Sequence, residues 1–116
     1  MKLEVGQFAR LKSGYICKII NVNDFREPNM KYGVEANYLK DVMFIGDDDV
    51  VKASYNIIDI LEEGDYVNGH RVEEINFENE EIFTDSEYYC GVVEFNDVKS
   101  VITHNQMEQM AYKVGE

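Results

Sequence analysis

Apolar and polar residues alternate along most of this chain, which is the pattern of half-buried β-strands. The turn signal Ser13-Gly14 separates two such runs and predicts a hairpin over residues 6–23. A loop over residues 23–33 follows it. The next runs predict strands at residues 34–38 and 42–45.

An acidic turn at residues 46–49 precedes segment 50–61. The sequence of this segment is compatible with two structures. It is either extended or contains one helical turn over Ile57 and Ile58. In the second case, Ser54 or Asn56 is the expected cap.

The dipeptide Asn68-Gly69 gives the strongest local signal in the chain. Both residues tolerate the positive φ angles of a type I′ turn, so a two-residue hairpin is predicted there. Beyond the turn, Glu73-Glu74 interrupts the alternation and indicates a β-bulge. Further strands are predicted at residues 81–84, 91–95 and 99–102.

One helix is predicted, near residue 103. Thr103 and Gln106 have the spacing of a capping box, in which each side chain accepts a hydrogen bond from the backbone amide of the other. Apolar residues then recur at the spacing of a short helix packed on a sheet, at Met107, Met110 and Ala111. A last edge strand is predicted over residues 112–114.

A weak internal repeat relates the two halves of the chain. Residues 3–9, LEVGQFA, resemble residues 61–67, LEEGDYV, and each stretch precedes a turn and a β-rich segment. In small barrels such a segment leads into a strand, because glycine permits the bend and the aromatic residue begins the core. The sequence therefore predicts a mainly β single domain over residues 1–116, a curved antiparallel sheet or SH3-like small barrel with one short C-terminal helix. The alternative of two similar β-units, at about 1–50 and 51–116, stays open.

Composition restricts the class of protein. The 116 residues are 45% hydrophobic and 12% aromatic, enough for a packed core, which excludes a wholly disordered chain. The chain has no run of about 18 apolar residues, as a membrane span requires, and its first residues, MKLEVG, do not resemble a secretory signal. We therefore expect a cytoplasmic protein in which Cys17 and Cys90 are buried, reduced thiols rather than a disulfide.

The net charge of −12 is unevenly distributed. Residues 47–97 carry a net charge of −14, residues 1–46 carry +2, and residues 98–116 are neutral. This excess argues against a nucleic-acid binder, which needs cations to replace the counterions of phosphates. Carboxylates on strands about 4.8 Å apart instead imitate a phosphate backbone. The alternative is that the acids only keep the protein soluble.

No catalytic motif is recognisable. Asp47-Asp48-Asp49 lacks the alternation and central glycine of an EF-hand and is interpreted as a solvated turn. The spacing of Cys and His residues does not fit a zinc site. A general base at His70 or His104 stays open, although no nucleophile is recognisable beside either residue in the sequence. Catalytic residues, metal ligands and cofactors are therefore not predicted.

Six short stretches, together under half of the chain, carry a family resemblance. They are LEVG (3–6), KSGYI (12–16), KASYNIID (52–59), EGDYVNG (63–69), IT (102–103) and QME (106–108). They resemble a group of small proteins carried by phages and prophages of Firmicutes. The group has no catalytic signature. The resemblance implies a genomic context in which small acidic proteins often inhibit host defence, as anti-CRISPR proteins do when they block guide- or DNA-binding grooves.

We therefore expect a non-enzymatic, phage-encoded inhibitor of the anti-CRISPR type, acting in the cytoplasm of the host bacterium. Its expected partner is a host protein with a basic nucleic-acid-binding groove, a CRISPR effector nuclease being the first candidate, and neither nucleic acid nor membrane is contacted. The expected partner-binding residues are nine acids and one tyrosine: Glu62, Glu63, Glu73, Glu74, Glu78, Glu80, Glu81, Asp85, Glu87 and Tyr88. A phage scaffolding module with an apolar or aromatic binding surface is the alternative. An enzyme that uses His70 or His104 is the third hypothesis.

Overall fold

The structure, a computed structural model, describes residues 2–36 and 39–110, with the side chains of all of these except Tyr88, Tyr89, Gln109 and Met110. The predicted last strand at residues 112–114 therefore lies outside the described residues. Two units divide the chain, Met1–Ile60 and Leu61–Glu116. Each is built on an antiparallel five-stranded sheet, and the predicted mainly β fold class is confirmed.

The first unit contains five strands. They are β1 (Phe8–Leu11), β2 (Ile16–Val22), β3 (Tyr32–Glu35), β4 (Met43–Ile45) and β5 (Val50–Ser54). Their order is β4-β3-β2-β1-β5, and every neighbouring pair is antiparallel. The predicted hairpin of β1 and β2 is confirmed, whereas β3 begins at Tyr32 rather than at residue 34.

Short 3₁₀ turns connect several of these strands, at Pro28–Met30, Asp47–Asp49 and Ile57–Ile60. The last of them confirms the helical alternative for segment 50–61. Its cap is Asn56, whose Oδ1 accepts a hydrogen bond from the amide of Ile58 at 3.1 Å. The side chain of Ser54 supports the same turn, because its Oγ accepts from the amide of Asn56 at 3.1 Å.

The core of the first unit lies on one face of its sheet. Nine buried residues form it: Leu3, Ala9, Leu11, Cys17, Ile19, Tyr32, Val34, Ile45 and Val50. The hydroxyl of the fully buried Tyr32 donates a hydrogen bond to Asp47 Oδ1 at 2.6 Å, so its polar atom is satisfied. Burial raises the pKa of Cys17 to about 12, and the prediction of a buried thiol is confirmed there.

The second unit contains five strands and one helix. They are β6 (Tyr66–Val67), β7 (His70–Asn76), β8 (Glu81–Thr84), β9 (Val92–Glu94), β10 (Val101–Ile102) and α1 (His104–Met110). The strand order is β10-β6-β7-β8-β9. Among the described residues, neither five-stranded sheet closes into a barrel, because its two edge strands do not pair with each other. Of the two predicted forms, the open sheet is therefore observed.

Local sequence signals account for the turns of the second unit. Asn68 and Gly69 have φ angles of 52° and 85°, as the predicted hairpin turn requires. The register of β7 and β8 shifts between Val72 and Glu74, which confirms the bulge. The amides of Thr103 and Gln106 each donate to the side chain of the other residue, both at 3.1 Å, which confirms the capping box and the start of α1.

Both units begin with the same turn, formed by residues 3–7 and 61–65, which we call the leading turn. Gly6 and Gly64 have φ angles of 97° and 94°, a region that disfavours side chains. Their amides donate to the carbonyls of Ile19 at 2.8 Å and Val72 at 2.9 Å. The strand that follows is second from one edge of its sheet in both units, and the two strand orders are equivalent. The sequence repeat is thus a repeat of structure.

The prediction that both cysteines are buried is wrong for Cys90. A 3₁₀ turn over Tyr88–Gly91 replaces the start of the predicted strand 91–95. Cys90 lies in this turn with a φ of 57° and is exposed. In the described part of the chain, no helix has the length and apolar character needed to cross a membrane.

Candidate functional site: the outer face of the second sheet

The negative charge of the chain is concentrated in the second unit. Residues 61–116 contain fourteen acidic and three basic residues, whereas residues 1–60 contain nine acidic and eight basic residues. The charge excess inferred from the sequence therefore belongs mainly to the unit built on β6–β10.

The pairing register of β7, β8 and β9 assigns side chains to the two faces of this sheet. Val72, Ile82 and Thr84 are buried and form the inner face. Directly opposed residues of antiparallel strands share a face, and alternate residues of a strand lie on opposite faces. Two rows of three residues therefore form the outer face: Asn76, Glu81 and Glu94, and Glu74, Phe83 and Val92.

Glu81 and Glu94 are directly opposite each other on β8 and β9. Side chains in such pairs have Cβ atoms about 5 Å apart, and like charges there destabilise the sheet. Among the described residues, no basic side chain forms an ion pair with either carboxylate. A cation from outside the chain would relieve this repulsion.

An open groove of about 230 Å³ lies beside this pair of glutamates. Six residues line it: Asn79, Glu80, Glu81, Glu94, Phe95 and Asn96. The amide of Phe95 donates to the carbonyl of Glu80 at 3.0 Å, which fixes the end of β9 to the turn between β7 and β8. The ring of Phe95 also packs edge-to-face against Phe77, with ring centroids 5.9 Å apart. Phe77 itself is 51% exposed, so this aromatic pair extends to the surface.

The structure brings only some of the predicted partner-binding residues together. Glu74 and Glu81 lie on the outer face, and Glu73 lies beside Glu74 in the bulge. Glu78 and Glu80 lie in the adjoining turn between β7 and β8.

The other predicted residues lie elsewhere in the unit. Glu62 and Glu63 belong to the leading turn, while Asp85 and Glu87 follow the opposite end of β8. The carboxylate of Asp85 is engaged internally, since its Oδ1 accepts from the amide of Arg71 at 3.0 Å. The side chain of Tyr88 lies outside the described residues.

Sequence reasoning missed four residues that line the groove, Asn79, Glu94, Phe95 and Asn96, and the neighbouring Phe77. A signal for Glu94 was present, because the predicted strand 91–95 alternates and places Glu94 on the face opposite Val93. The pairing of Glu94 with Glu81 was not readable, since it depends on the register set by the turn region 85–91.

Both histidines of the chain lie beside carboxylates. His104 Nδ1 is 2.9 Å from Oδ1 of Asp65, a fully buried residue, and the amide of His104 donates to the same oxygen at 3.0 Å. His70 Nδ1 is 3.9 Å from Asp85 Oδ1. The carboxylate of Asp65 also accepts the amide of Glu62 at 2.8 Å, so it joins the leading turn to the start of α1. These contacts give Asp65 a structural role in the second unit.

Within residues 2–36 and 39–110, no three His, Cys, Asp or Glu side chains form a group that could hold a metal ion. Comparison with known proteins adds no relative, since no family model, no curated protein and no solved structure matches the chain.

Proposed function

We propose that this protein is a non-enzymatic binding protein whose outer face on the second sheet binds a basic, nucleic-acid-binding surface of a partner protein. The observation that carries the proposal is the direct opposition of Glu81 and Glu94, for which the described chain supplies no cation. Glu74 shares the same face. Carboxylates fixed on a sheet present negative charge without the entropic cost of ordering a flexible tail.

More specifically, we propose that the protein is a phage inhibitor of the anti-CRISPR type, active in the cytoplasm of a bacterial host. The resemblance to phage and prophage proteins of Firmicutes supports this form. The partner would then be a defence effector, and the acidic face would occupy the groove that holds its guide or target nucleic acid. Complementary charge predicts fast association that weakens as salt is added.

The test is capture of partners from the lysate of a Firmicutes host, at low and at high salt, with the full chain as bait. The expected result is a basic nucleic-acid-handling protein that is retained at low salt and released at high salt. Added DNA or RNA should compete with the bait for this partner, because both would occupy the same groove.

A charge-reversal variant with a matched control makes the test specific. In the test variant, Glu74, Glu81 and Glu94 are changed to Lys. In the control, three exposed acids of the first unit are changed to Lys: Glu27, Asp41 and Asp48. Both variants change the net charge equally. If the test variant loses capture and the control variant keeps it, the outer face is supported as the binding surface. Equal loss, or retention by both, contradicts the proposal.

A specific feature of the first unit favours a second candidate, a scaffolding module with an apolar binding surface. Phe25 is 101% exposed, and Val42 and Phe44 are 47% and 41% exposed. Phe44 and Val42 lie within 3.6 Å of a Cβ placed on Gly33, so they form one patch on the outer face of the first sheet. The guanidinium of Arg26 packs over Phe44, 4.8 Å from the ring centroid.

The two candidates differ in their response to salt. A partner held by the apolar patch would stay bound at high salt, because hydrophobic association is not screened by ions. Changing Val42 and Phe44 to Ser would release such a partner, while reversal of Glu81 and Glu94 would leave it bound.

A further inference from the structure

We propose that Asn68 is a site of spontaneous deamidation, gated by the segment 97–100 that leads into β10. The proposal is independent of the proposed function, because it concerns the turn between β6 and β7 and not the outer face of the sheet. Transient opening of the segment frees the Asn68 side chain for attack by the neighbouring backbone nitrogen. The covalent product then prevents full reclosure, so the turn acts as a one-way switch in the second unit.

Asn68 and Gly69 form the only Asn-Gly dipeptide in the chain. Deamidation begins when the backbone nitrogen of the following residue attacks the side-chain carbonyl carbon of asparagine, and a side chain on that following residue hinders the attack. Gly69 has no side chain and is exposed, and no atom of the described residues lies within 4 Å of a Cβ built on it. The turn therefore leaves room for the five-membered ring that the reaction forms.

The reaction needs only water as a co-reactant. The Gly69 nitrogen loses its proton to the solvent and forms a bond to Cγ of Asn68, an intramolecular attack that proximity favours. The electron pair of the Cγ–Nδ2 bond leaves with Nδ2, which takes up a proton from the solvent and departs as ammonia. Water then adds to one of the two carbonyl carbons of the succinimide ring and breaks its bond to the ring nitrogen, which gives aspartate or isoaspartate. One water is consumed and one ammonia is released, with no oxidant or reductant.

Three hydrogen bonds hold the Asn68 carboxamide in the closed state. Nδ2 donates to the carbonyl of Asp97 at 2.9 Å, and Oδ1 accepts from the amides of Lys99 at 2.7 Å and Ser100 at 3.1 Å. These contacts direct the carboxamide toward segment 97–100 and away from the following backbone nitrogen. The reaction therefore waits for the segment to open.

The position of this segment in the sheet favours such opening. It leads into β10, a strand of two residues at the edge of the second sheet, which pairs with β6. Lys99 and Ser100 are themselves exposed. Segments with few buried contacts and solvent-exposed hydrogen bonds are the ones that open locally while the rest of the fold persists.

Neither product can remake the closed state in full. Aspartate places an oxygen where Nδ2 was, and this oxygen would face the carbonyl of Asp97 without a hydrogen to donate. Isoaspartate adds one carbon to the main chain of a two-residue turn that fixes the register of β6 and β7. Both products weaken the link between segment 97–100 and the hairpin, and isoaspartate weakens it more.

The test follows the full chain in mildly alkaline buffer, with and without denaturing urea, by peptide mass spectrometry that distinguishes aspartate from isoaspartate. Asn68 should be the first asparagine converted in both conditions. In the native chain it should react at least about tenfold more slowly than in the unfolded chain, because three hydrogen bonds must open together before the attack.

Two matched variants at Lys99 test the gate. K99P removes the backbone N–H that donates to Oδ1 of Asn68, whereas K99A removes the same exposed side chain and keeps that N–H. Val98 has φ −71° and ψ 118°, which is compatible with a following proline. K99P should accelerate the conversion of Asn68 in the native chain several-fold, and K99A should leave the rate within about twofold. Circular dichroism checks that both variants fold, and the comparison of native and unfolded rates decides without them.

Hydrogen exchange tests the switch in the purified isoaspartate form of the chain. The amide of Ser100 should lose protection relative to the unconverted chain, because its acceptor has moved. The gate is wrong if Asn68 reacts as fast in the native as in the unfolded chain, or if folded K99P and K99A react equally. The site is wrong if another asparagine reacts first in the native chain, or if Asn68 stays intact there over many half-times of the unfolded chain. Unchanged protection of Ser100 after conversion would show that the modification switches nothing.

Discussion

Truncation of Asp65 to Ala tests the role of the buried carboxylate that joins the leading turn of the second unit to helix α1. Asp65 is fully buried, and its two oxygens accept hydrogen bonds from the amides of Glu62 and His104 and from His104 Nδ1. The variant leaves two backbone amides without these acceptors. A buried backbone donor left without its acceptor costs about 1–3 kcal/mol, so we expect the loss of two such acceptors to lower the free energy of unfolding by about 2–6 kcal/mol.

The internal repeat supplies a matched control at Gln7, which has the same place in the first leading turn. Its Oε1 accepts one hydrogen bond, from the amide of Glu4 at 2.8 Å, in an exposed setting. Changing Gln7 to Ala should cost about 0.5–1.5 kcal/mol, the net value of one such bond. The two substitutions therefore remove side chains from equivalent positions of the two leading turns, yet we expect D65A to cost more than Q7A by about 1 kcal/mol or more.

Urea unfolding followed by circular dichroism measures both free energies in the full chain, and hydrogen exchange localises the effect. In D65A, the amides of Gly64 and Val72 should lose protection, because Gly64 donates to the carbonyl of Val72 and Val72 donates to the carbonyl of Asp65, which joins the leading turn to β7. D65N keeps the shape of the side chain but places an amide group against an N–H donor, so an intermediate loss is expected. If D65A costs no more than Q7A, the assignment of Asp65 as a structural centre is refuted.

Three further predictions use other parts of the molecule. E81Q/E94Q should raise the free energy of unfolding by about 0.2–1 kcal/mol, because it removes a cross-strand repulsion; a loss measured by urea unfolding would contradict the deduced register. Cys90 should react with Ellman's reagent in the native chain and Cys17 only after unfolding, since Cys17 is buried with a pKa of about 12; two fast thiols would disprove its burial. Because this pKa is raised from 9.0, the contribution of Cys17 to stability is present below pH 9 and is lost between pH 9 and about 12. N68A should cost about 2 kcal/mol in a thermal or urea melt, since Asn68 Oδ1 accepts the amides of Lys99 and Ser100; an unchanged melt would argue against this link to β10.

The features that sequence reasoning predicted correctly are those determined by a few neighbouring residues. Asn68-Gly69 fixes a turn type because the two residues tolerate positive φ, and Thr103 and Gln106 fix a helix start because their side chains reach each other's amides. The repeated Leu-Glu-x-Gly segment was recognisable for the same reason. In each case the chemistry that decides the structure is complete within about seven residues of sequence.

The proposed binding face depends instead on strand register, which sequence does not show. Glu81 and Asp85 are close in sequence, but they lie at opposite ends of β8, and Asp85 is held by the amide of Arg71. The partner of Glu81 is Glu94, across a connection that includes the 3₁₀ turn Tyr88–Gly91. The same turn exposes Cys90, whose apolar sequence neighbours suggested burial. Charge counted along the chain therefore located the acidic unit, but it did not show that Glu81 and Glu94 share one face of its sheet.

The distinction between structural and exposed acids changes the expected strength of binding. Asp65 and Asp85 have their carboxylates engaged by amides of their own unit, so they do not contribute freely to a partner. The negative charge that a partner can reach is therefore expected mainly at Glu81, Glu94 and the other residues that line the groove. The salt dependence of partner binding reports the number of ion pairs formed, because only charges that pair release counterions. It should therefore correspond to a few contacts around the groove, and a dependence that required all fourteen acids of the unit would mean that a diffuse field, and not this face, holds the partner.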